Sequence, residues 1–230
     1  MKLFNKKIEI KTPQQRKDES IKMLKKNKIK VFEELPVIEN YEEAKIRTKE
    51  EIVKRAVALC LVSNYASEIG RGAEVKKVQE FFSNIINQYN AATFFTNNEN
   101  EFMNRKTTTQ QEMINFSWRW ECYNVLLWAL GFFDDLGMPN KVCDVGKIAN
   151  ILVDNNTYEV FERNSKVREK EEILDEADLI YRYDWACVDA RINGKKIDNL
   201  EPGVVLERHR ALNWLINYMD QDWDNVTTDT

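Results

Sequence analysis

Glycine and proline are scarce in this sequence, and their scarcity constrains the fold more than any other feature. The 230 residues include only seven glycines and four prolines. Strands joined by tight turns need these residues often, whereas the interior of a long helix excludes them. The composition therefore predicts an all-α fold, and 43% hydrophobic residues are enough to build a full core.

Capping boxes mark three helix starts. In this motif a threonine side chain and a glutamate three residues later each accept a hydrogen bond from the other residue's backbone N–H group. The boxes begin at Thr48, Thr96 and Thr109. After Thr48, apolar residues recur at helical spacing until Gly70. After Thr109, residues 113–131 are apolar on every side, so we expect them to form the central buried helix.

Periodicity and breakers predict the other elements. Further helices are expected at residues 18–27, 73–89, 144–153, 157–164, 167–193 and 204–219. Together the helices predict a multi-helix orthogonal bundle. Residues 29–32 alternate as in a strand, and residues 1–11 fit either a short strand or a disordered tail. A minor strand pair near the N-terminus is therefore an additional prediction.

Charge is unevenly distributed along the chain. The net charge is −4, but residues 1–30 hold eleven Lys and Arg against three Asp and Glu, which leaves −12 for residues 31–230. No repeat or linker divides the rest, so we predict a basic arm of residues 1–15 and a single α-helical domain of residues 16–230. The basic segment has no aromatic residue beyond Phe4 and no base-reading motif, which favours a solvated or docked arm over a nucleic-acid partner.

The chain shows no sign of export or membrane insertion. Residues 1–11 lack the apolar stretch and cleavage site of a secretory signal. The longest apolar runs, residues 56–62 and 125–133, are shorter than the roughly 20 residues that cross a bilayer. We therefore predict a cytoplasmic protein with no membrane partner.

Metal and cofactor signatures are also missing from the sequence. Four widely spaced cysteines form no CxxC pair, and His209 is the only histidine, so neither a zinc site nor a cofactor is predicted. The cysteines are expected to be reduced, buried thiols. On a helical wheel His209 shares the polar side with Arg210, Asn213 and Asn217, which predicts a surface residue rather than a catalyst.

Charged residues fall among apolar ones on three of the predicted helices. Because a lone charge in a low-dielectric interior costs several kcal/mol, these side chains must find partners or reach a cleft. Asp178 and Arg182, for example, can pair at i, i+4. We predict one ionic network where the three helices meet, formed by Arg119, Glu121, Asp175, Asp178, Arg182, Glu207 and Arg208.

This network has two interpretations. In the first, it fixes helix register, and the chain is a binding or interaction protein with an unidentified protein partner. The acidic residues 31–230 would suit a basic partner, such as a toxin that the protein neutralises. In the second, carboxylates act as acid and base in a cleft while arginines hold an anion, and the protein is an enzyme of unknown reaction. We favour the first.

The acidic tail resembles the start of a calcium loop but lacks the glycine at the sixth position. We expect its acids and Trp223 to strap residues 220–230 over the helices, close to arginines such as Arg182 or Arg191.

Seven stretches of the chain share a pattern with a known family. They are residues 20–24, 35–36, 47–59 (RTKEEIVKRAVAL), 117–131 (SWRWECYNVLLWALG), 168–191, 205–215 (VLERHRALNWL) and 222–230 (DWDNVTTDT). In this order they resemble the mainly bacterial domain of unknown function 4272, from about Arg16 onward. The resemblance implies an α-helical fold and brings no activity, substrate or catalytic residue.

Overall fold

The computed structural model describes residues 10–230, and all regular secondary structure in that range is helical. In chain order the helices are α1 (Pro13–Lys26), α2 (Lys49–Gly70), α3 (Val75–Gln88), α4 (Asn97–Asn104), α5 (Gln110–Ser117), α6 (Arg119–Ala129), α7 (Val145–Asp154), α8 (Tyr158–Asn164), α9 (Lys170–Ile192) and α10 (Pro202–Leu215). Short 3₁₀ turns occupy Ala91–Thr93 and Tyr218–Asp220. The all-α prediction is confirmed.

All three predicted capping boxes form, at Thr48, Thr96 and Thr109. A fourth box, between Thr12 and Gln15, opens α1 with a proline in its first turn. Helix α1 therefore begins five residues earlier than predicted, inside the predicted basic arm. Proline is well suited to the first helical position, because the N–H that it lacks has no partner there.

The predicted helix over residues 113–131 is divided in two at Trp118. The backbone N–H of Glu121 donates to the Trp118 carbonyl, a bond to the third residue back that tightens the chain between α5 and α6. The Trp118 ring lies against Gly203 at the start of α10. Helix α6 is buried on every side, as predicted, because α2 packs on one side of it and α10 on another, whereas no residue of α5 is buried, so the prediction was wrong for residues 113–117.

The prediction of a strand pair was wrong for residues 29–32. Lys28 adopts a left-handed conformation (φ 57°), and the N–H of Ile29 donates to the Leu24 carbonyl at 2.9 Å. This is the Schellman termination of a helix, in which the residue after the turn packs back on the last helical turn. The apolar alternation therefore belongs to the end of α1. The strand or tail predicted for residues 1–11 falls largely outside the described residues.

Helix packing places α6 and α10 at the centre of the molecule. Helix α10 packs on both α9 and α6, α2 packs on α5 and α6, and α1 covers α9. One cluster of buried hydrophobic side chains runs through these contacts, from Leu24 in α1 to Val226 in the tail. Among residues 10–230, no helix combines the length and apolar content needed to cross a bilayer.

The tail crosses the helices as predicted, but it meets different arginines. Trp223 is buried, packs edge-on against Trp214 of α10, and lies under the guanidinium of Arg55. Arg210 donates to the Val226 carbonyl. The expected contacts with Arg182 or Arg191 are replaced because those residues lie on α9, whereas the tail runs along α10.

Candidate functional site

The seven charged residues predicted to form one network are distributed over four separate groups. In the first, Arg119 of α6 donates to the Glu207 carboxylate of α10. The Sγ of Cys122 lies 3.0 Å from the same carboxylate oxygen, and the Cys122 thiol pKa is raised well above its usual value, chiefly by burial. This group joins the two central helices.

The second group lies within α9 alone. Arg182 donates from Nε and Nη2 to the two oxygens of Asp178, at 2.8 and 2.7 Å, and both side chains are almost fully buried. A further bond from Arg182 reaches the Pro36 carbonyl. The predicted i, i+4 pair is confirmed, and it anchors the segment after α1 rather than a junction of three helices.

The third group links α9 to α1. Arg16, 1% exposed, donates to Asp175 at 3.1 Å and to Glu171 at 2.8 Å. Lys11 adds a 2.6 Å bond to Asp175. Burial raises the pKa of the Asp175 carboxyl, against the opposing effect of Lys11 and Arg16. Sequence reasoning missed Arg16 and Glu171, although Thr12 and Pro13 signalled the helix that carries Arg16 inward.

The fourth group is incompletely paired. Glu121 accepts a bond from the backbone N–H of Cys143 at 2.6 Å, and its other oxygen has no partner among the described residues. Arg208 donates to the Gly137 carbonyl at 2.7 Å, while its Nε has none. Burial lowers the pKa of Arg208, although the charges of Glu121 and Glu176 oppose the shift.

A fifth charged contact, which was not predicted, joins α2 to α4. Arg55 donates to Glu99 at 2.6 Å, with both side chains buried. Glu99 is also the glutamate of the capping box at Thr96. The box was visible in the sequence, but the arginine that packs against it comes from a helix 44 residues earlier.

His209 is buried, so the prediction of a surface residue was wrong. Its Nδ1 lies 3.0 Å from the carboxylate of Asp184 on α9. The polar side of α10 is covered because the tail lies over it: Asn213 donates to the Thr227 carbonyl at 2.9 Å. The helical wheel identified the polar side of α10 correctly, and α9 and the tail then cover it.

The Asp184 carboxylate determines which nitrogen of His209 carries the proton when the ring is neutral. A carboxylate on Nδ1 favours the tautomer that carries its proton there, which leaves Nε2 as a hydrogen-bond acceptor. Nε2 makes no hydrogen bond to any residue that the structure describes. The ring lines a cleft of about 420 Å³, so a ligand that enters the cleft comes close to the imidazole.

The cleft lies between the segment after α1, helices α9 and α10, and the tail. It is lined by Pro13, Pro36, Val37, Ile38, Glu39, Asn40, Glu43, Tyr181, His209, Asn213, Ile216, Tyr218 and Asp229. Three of these side chains are carboxylates, and none is lysine or arginine. Burial raises the pKa of Tyr181 and Tyr218, so both phenols stay neutral. The cleft therefore offers acceptors and aromatic faces to a cation.

Residues 16–226 match the model of one family, Domain of unknown function (DUF4272). The chain belongs to this family. The matched range includes Asp184, His209 and all four charged groups except Lys11. Neither a curated protein nor a solved structure matches the chain.

Proposed function

We propose that this DUF4272 protein is a binding protein of the bacterial cytoplasm, whose cleft at His209 receives a basic side chain of a protein partner. The observation that carries the proposal is the composition of the cleft: Glu39, Glu43 and Asp229 line it together with His209, and no lysine or arginine does. The four cysteines are free thiols, which suits a reducing compartment.

The buried charged pairs support a structural role for most of the predicted network. Arg119 and Glu207, Asp178 and Arg182, and Asp175 with Arg16 all find partners inside the protein. None of these six residues lines the cleft. Their charges hold helices together, so binding is assigned to a different set of residues.

A basic side chain suits this cleft in three ways. Its N–H groups donate to the carboxylates and to Nε2 of His209. The ring of Tyr218 offers a face on which a guanidinium or ammonium can rest, while the Tyr181 ring already has the Arg182 guanidinium 5.8 Å from its centroid. The net charge of −12 on residues 31–230 attracts a basic partner from a distance.

The binding proposal is tested with N-acetyl-arginine methylamide as the probe and its uncharged norleucine analogue as the control ligand. In an NMR titration the arginine probe is expected to shift the amides of residues 37–43, 209 and 213. Changing Glu39→Gln and Glu43→Gln together should weaken binding about five- to thirtyfold, because two exposed charge pairs are lost.

The control for this experiment is Glu68→Gln with Glu101→Gln, which removes two exposed carboxylates outside the cleft. These changes should leave the titration unaltered. Equal shifts from the norleucine analogue, or equal affinity in the Glu39 and Glu43 variant, would show that the cleft does not select a cation.

A second candidate function, an enzyme, is favoured by one observation. The free Nε2 of His209, backed by the carboxylate of Asp184, has the arrangement of a general base. The base would then be His209, and not the carboxylates of the predicted network. In such an enzyme His209→Gln would abolish turnover while leaving the affinity for the arginine probe within about twofold. A parallel loss of affinity would favour binding alone.

A further inference from the structure

A second cavity lies beside α10, separate from the cleft. It has a volume of about 330 Å³, is open to solvent, and is bordered by α6, the start of α7, α10 and the loop of residues 133–144. Among the lining residues only Arg208 belongs to α10, and only Asn124 belongs to α6. The cavity shares no lining residue with the cleft at His209.

Arg208 lines this cavity as a buried cation, and the negative charges of Glu121 and Glu176 act on it from beyond ion-pair distance. It is 5% exposed, and no carboxylate of the described residues lies within 4 Å of its guanidinium nitrogens. Its one hydrogen bond uses Nη1, and Nη2 makes none to the residues that the structure describes. A buried charge in this state is costly, so a bound anion would stabilise it.

Asn124 provides an independent sign of a ligand. Its side chain is 7% exposed, lines the same cavity, and makes no hydrogen bond to any described residue. Its amide atoms are partly accessible to solvent, whereas Oε2 of Glu121, three residues earlier, is fully buried. A buried amide normally has a partner, so this one is free for something that enters the cavity.

We propose that the cavity binds a small aliphatic monocarboxylate, with Arg208 and Asn124 donating to its carboxylate. The planar fork of an arginine matches the two oxygens of a carboxylate. The walls contributed by Leu136, Val142 and Ile148 receive the aliphatic part.

The balance of charge around the cavity favours a single negative charge on the ligand. Three cations, Lys141, Lys147 and Arg208, and three carboxylates, Asp134, Asp135 and Asp144, line the cavity, and the carboxylates of Glu121 and Glu176 add negative charge that acts on Arg208. A dianion such as phosphate would meet more repulsion from these carboxylates than a monoanion. The preference for a monoanion distinguishes the site from a general anion site at a helix N-terminus.

The test is a titration of the full chain with sodium butyrate, followed by ¹H–¹⁵N correlation spectra, with sodium chloride added to hold the ionic strength constant. Saturable shifts are expected at residues 124, 137 and 143–148, with little change at 209 and 213. Sodium phosphate should give weaker shifts. Shifts equal to those from chloride, stronger binding of phosphate, or shifts elsewhere would overturn the proposal.

Two variants locate the site. Arg208→Lys keeps the charge but removes the fork, and Asn124→Leu removes the amide; each should weaken butyrate binding about tenfold or more, since a hydrogen bond to a charged group is lost. Arg210→Lys on the same helix, whose side chain reaches the tail instead, is the matched control and should bind as the wild type does. Unchanged affinity in a folded Arg208→Lys or Asn124→Leu protein overturns the proposal. If neither variant folds, the wild-type titration decides alone.

Discussion

Asp184 of α9 holds His209 of α10 through a 3.0 Å contact between its carboxylate and Nδ1 of the imidazole. Both residues are buried, so the contact joins the two helices that pack most extensively on each other. The same contact leaves Nε2 without a partner among the described residues, in a ring that lines the cleft. One interaction thus serves both the packing of α9 on α10 and the chemistry of the proposed binding site.

Asp184→Asn should reduce the free energy of unfolding by about 1 to 3 kcal/mol, because a buried charged hydrogen bond becomes a weaker neutral one. Urea denaturation measures this change. Glu33→Gln is the control, since Glu33 pairs with Lys25 on the surface and should alter stability by less than about 0.5 kcal/mol. Equal effects of the two changes would contradict the role given to Asp184.

Arg182→Met should destabilise the protein by about 3 to 5 kcal/mol, because it leaves the buried Asp178 carboxylate without its partner. Adding Asp178→Leu should recover much of this loss, since the unpaired charge is removed as well. Urea denaturation of the two single variants and the double variant gives the coupling energy. A single variant that loses less than about 1 kcal/mol would argue against a structural pair.

The raised pKa of the Glu176 carboxyl predicts that the free energy of unfolding falls as the pH rises towards 7. Burial raises the pKa of its carboxyl from 4.5 to about 7, with the Arg208 charge opposing the shift. The folded protein therefore keeps a proton that the unfolded chain loses above about pH 4.5, so this group's contribution to stability falls as the pH rises from about 4.5 to 7. Glu176→Gln should remove that fall, and the variant should be more stable than the wild type at pH 8 by about 2 kcal/mol. This is less than the whole pKa shift would give, because the side chain is only partly buried and solvent screens its charge.

The control for this measurement is Glu112→Gln, at a carboxyl whose pKa is lowered, chiefly by a backbone hydrogen bond from Thr109. It should not flatten the profile between pH 5 and pH 8. Parallel profiles of stability against pH for Glu176→Gln and the wild type would rule out the raised pKa.

Gly203 allows α10 to approach Trp118 closely. A Cβ at this position would lie 2.6 Å from a carbon of the Trp118 ring, so Gly203→Ala must displace the ring. We expect a loss of about 1 to 3 kcal/mol in thermal or urea denaturation, which is typical of overpacking. Gly70→Ala is the control, because a Cβ added at Gly70 would meet no atom within 4 Å outside its own helical turn. This change should be neutral or slightly stabilising. A neutral Gly203→Ala would show that the ring has room to move.

Much of the fold could be predicted because its signals are local. Each capping box, at Thr48, Thr96 and Thr109, is defined by four consecutive residues, and all three formed. The start of α1 was missed because residues 1–11 were interpreted as a strand or tail and the first helix was placed at residue 18, although Thr12 and Pro13 suit a helix N-terminus.

The candidate site was less predictable because it depends on which helices face each other. A helical wheel shows that Arg208 lies among apolar side chains, but not that its neighbour is the Gly137 loop rather than the Asp178 pair. The wheel also placed His209 on a polar side without showing that α9 and the tail cover it. Residues distant in sequence supply these partners, so no local pattern contains them.

We predict that His209 carries its proton on Nδ1, towards Asp184, and that Nε2 accepts a hydrogen bond from a ligand in the acidic cleft. Because His209 is the only histidine, a long-range ¹H–¹⁵N spectrum of histidine-labelled protein reports this ring alone. At a pH at which the ring is neutral, we predict the Nδ1–H tautomer and a shift of Nε2 when N-acetyl-arginine methylamide is added. An Nε2–H tautomer, or an Nε2 signal that does not respond to the probe, would contradict the account.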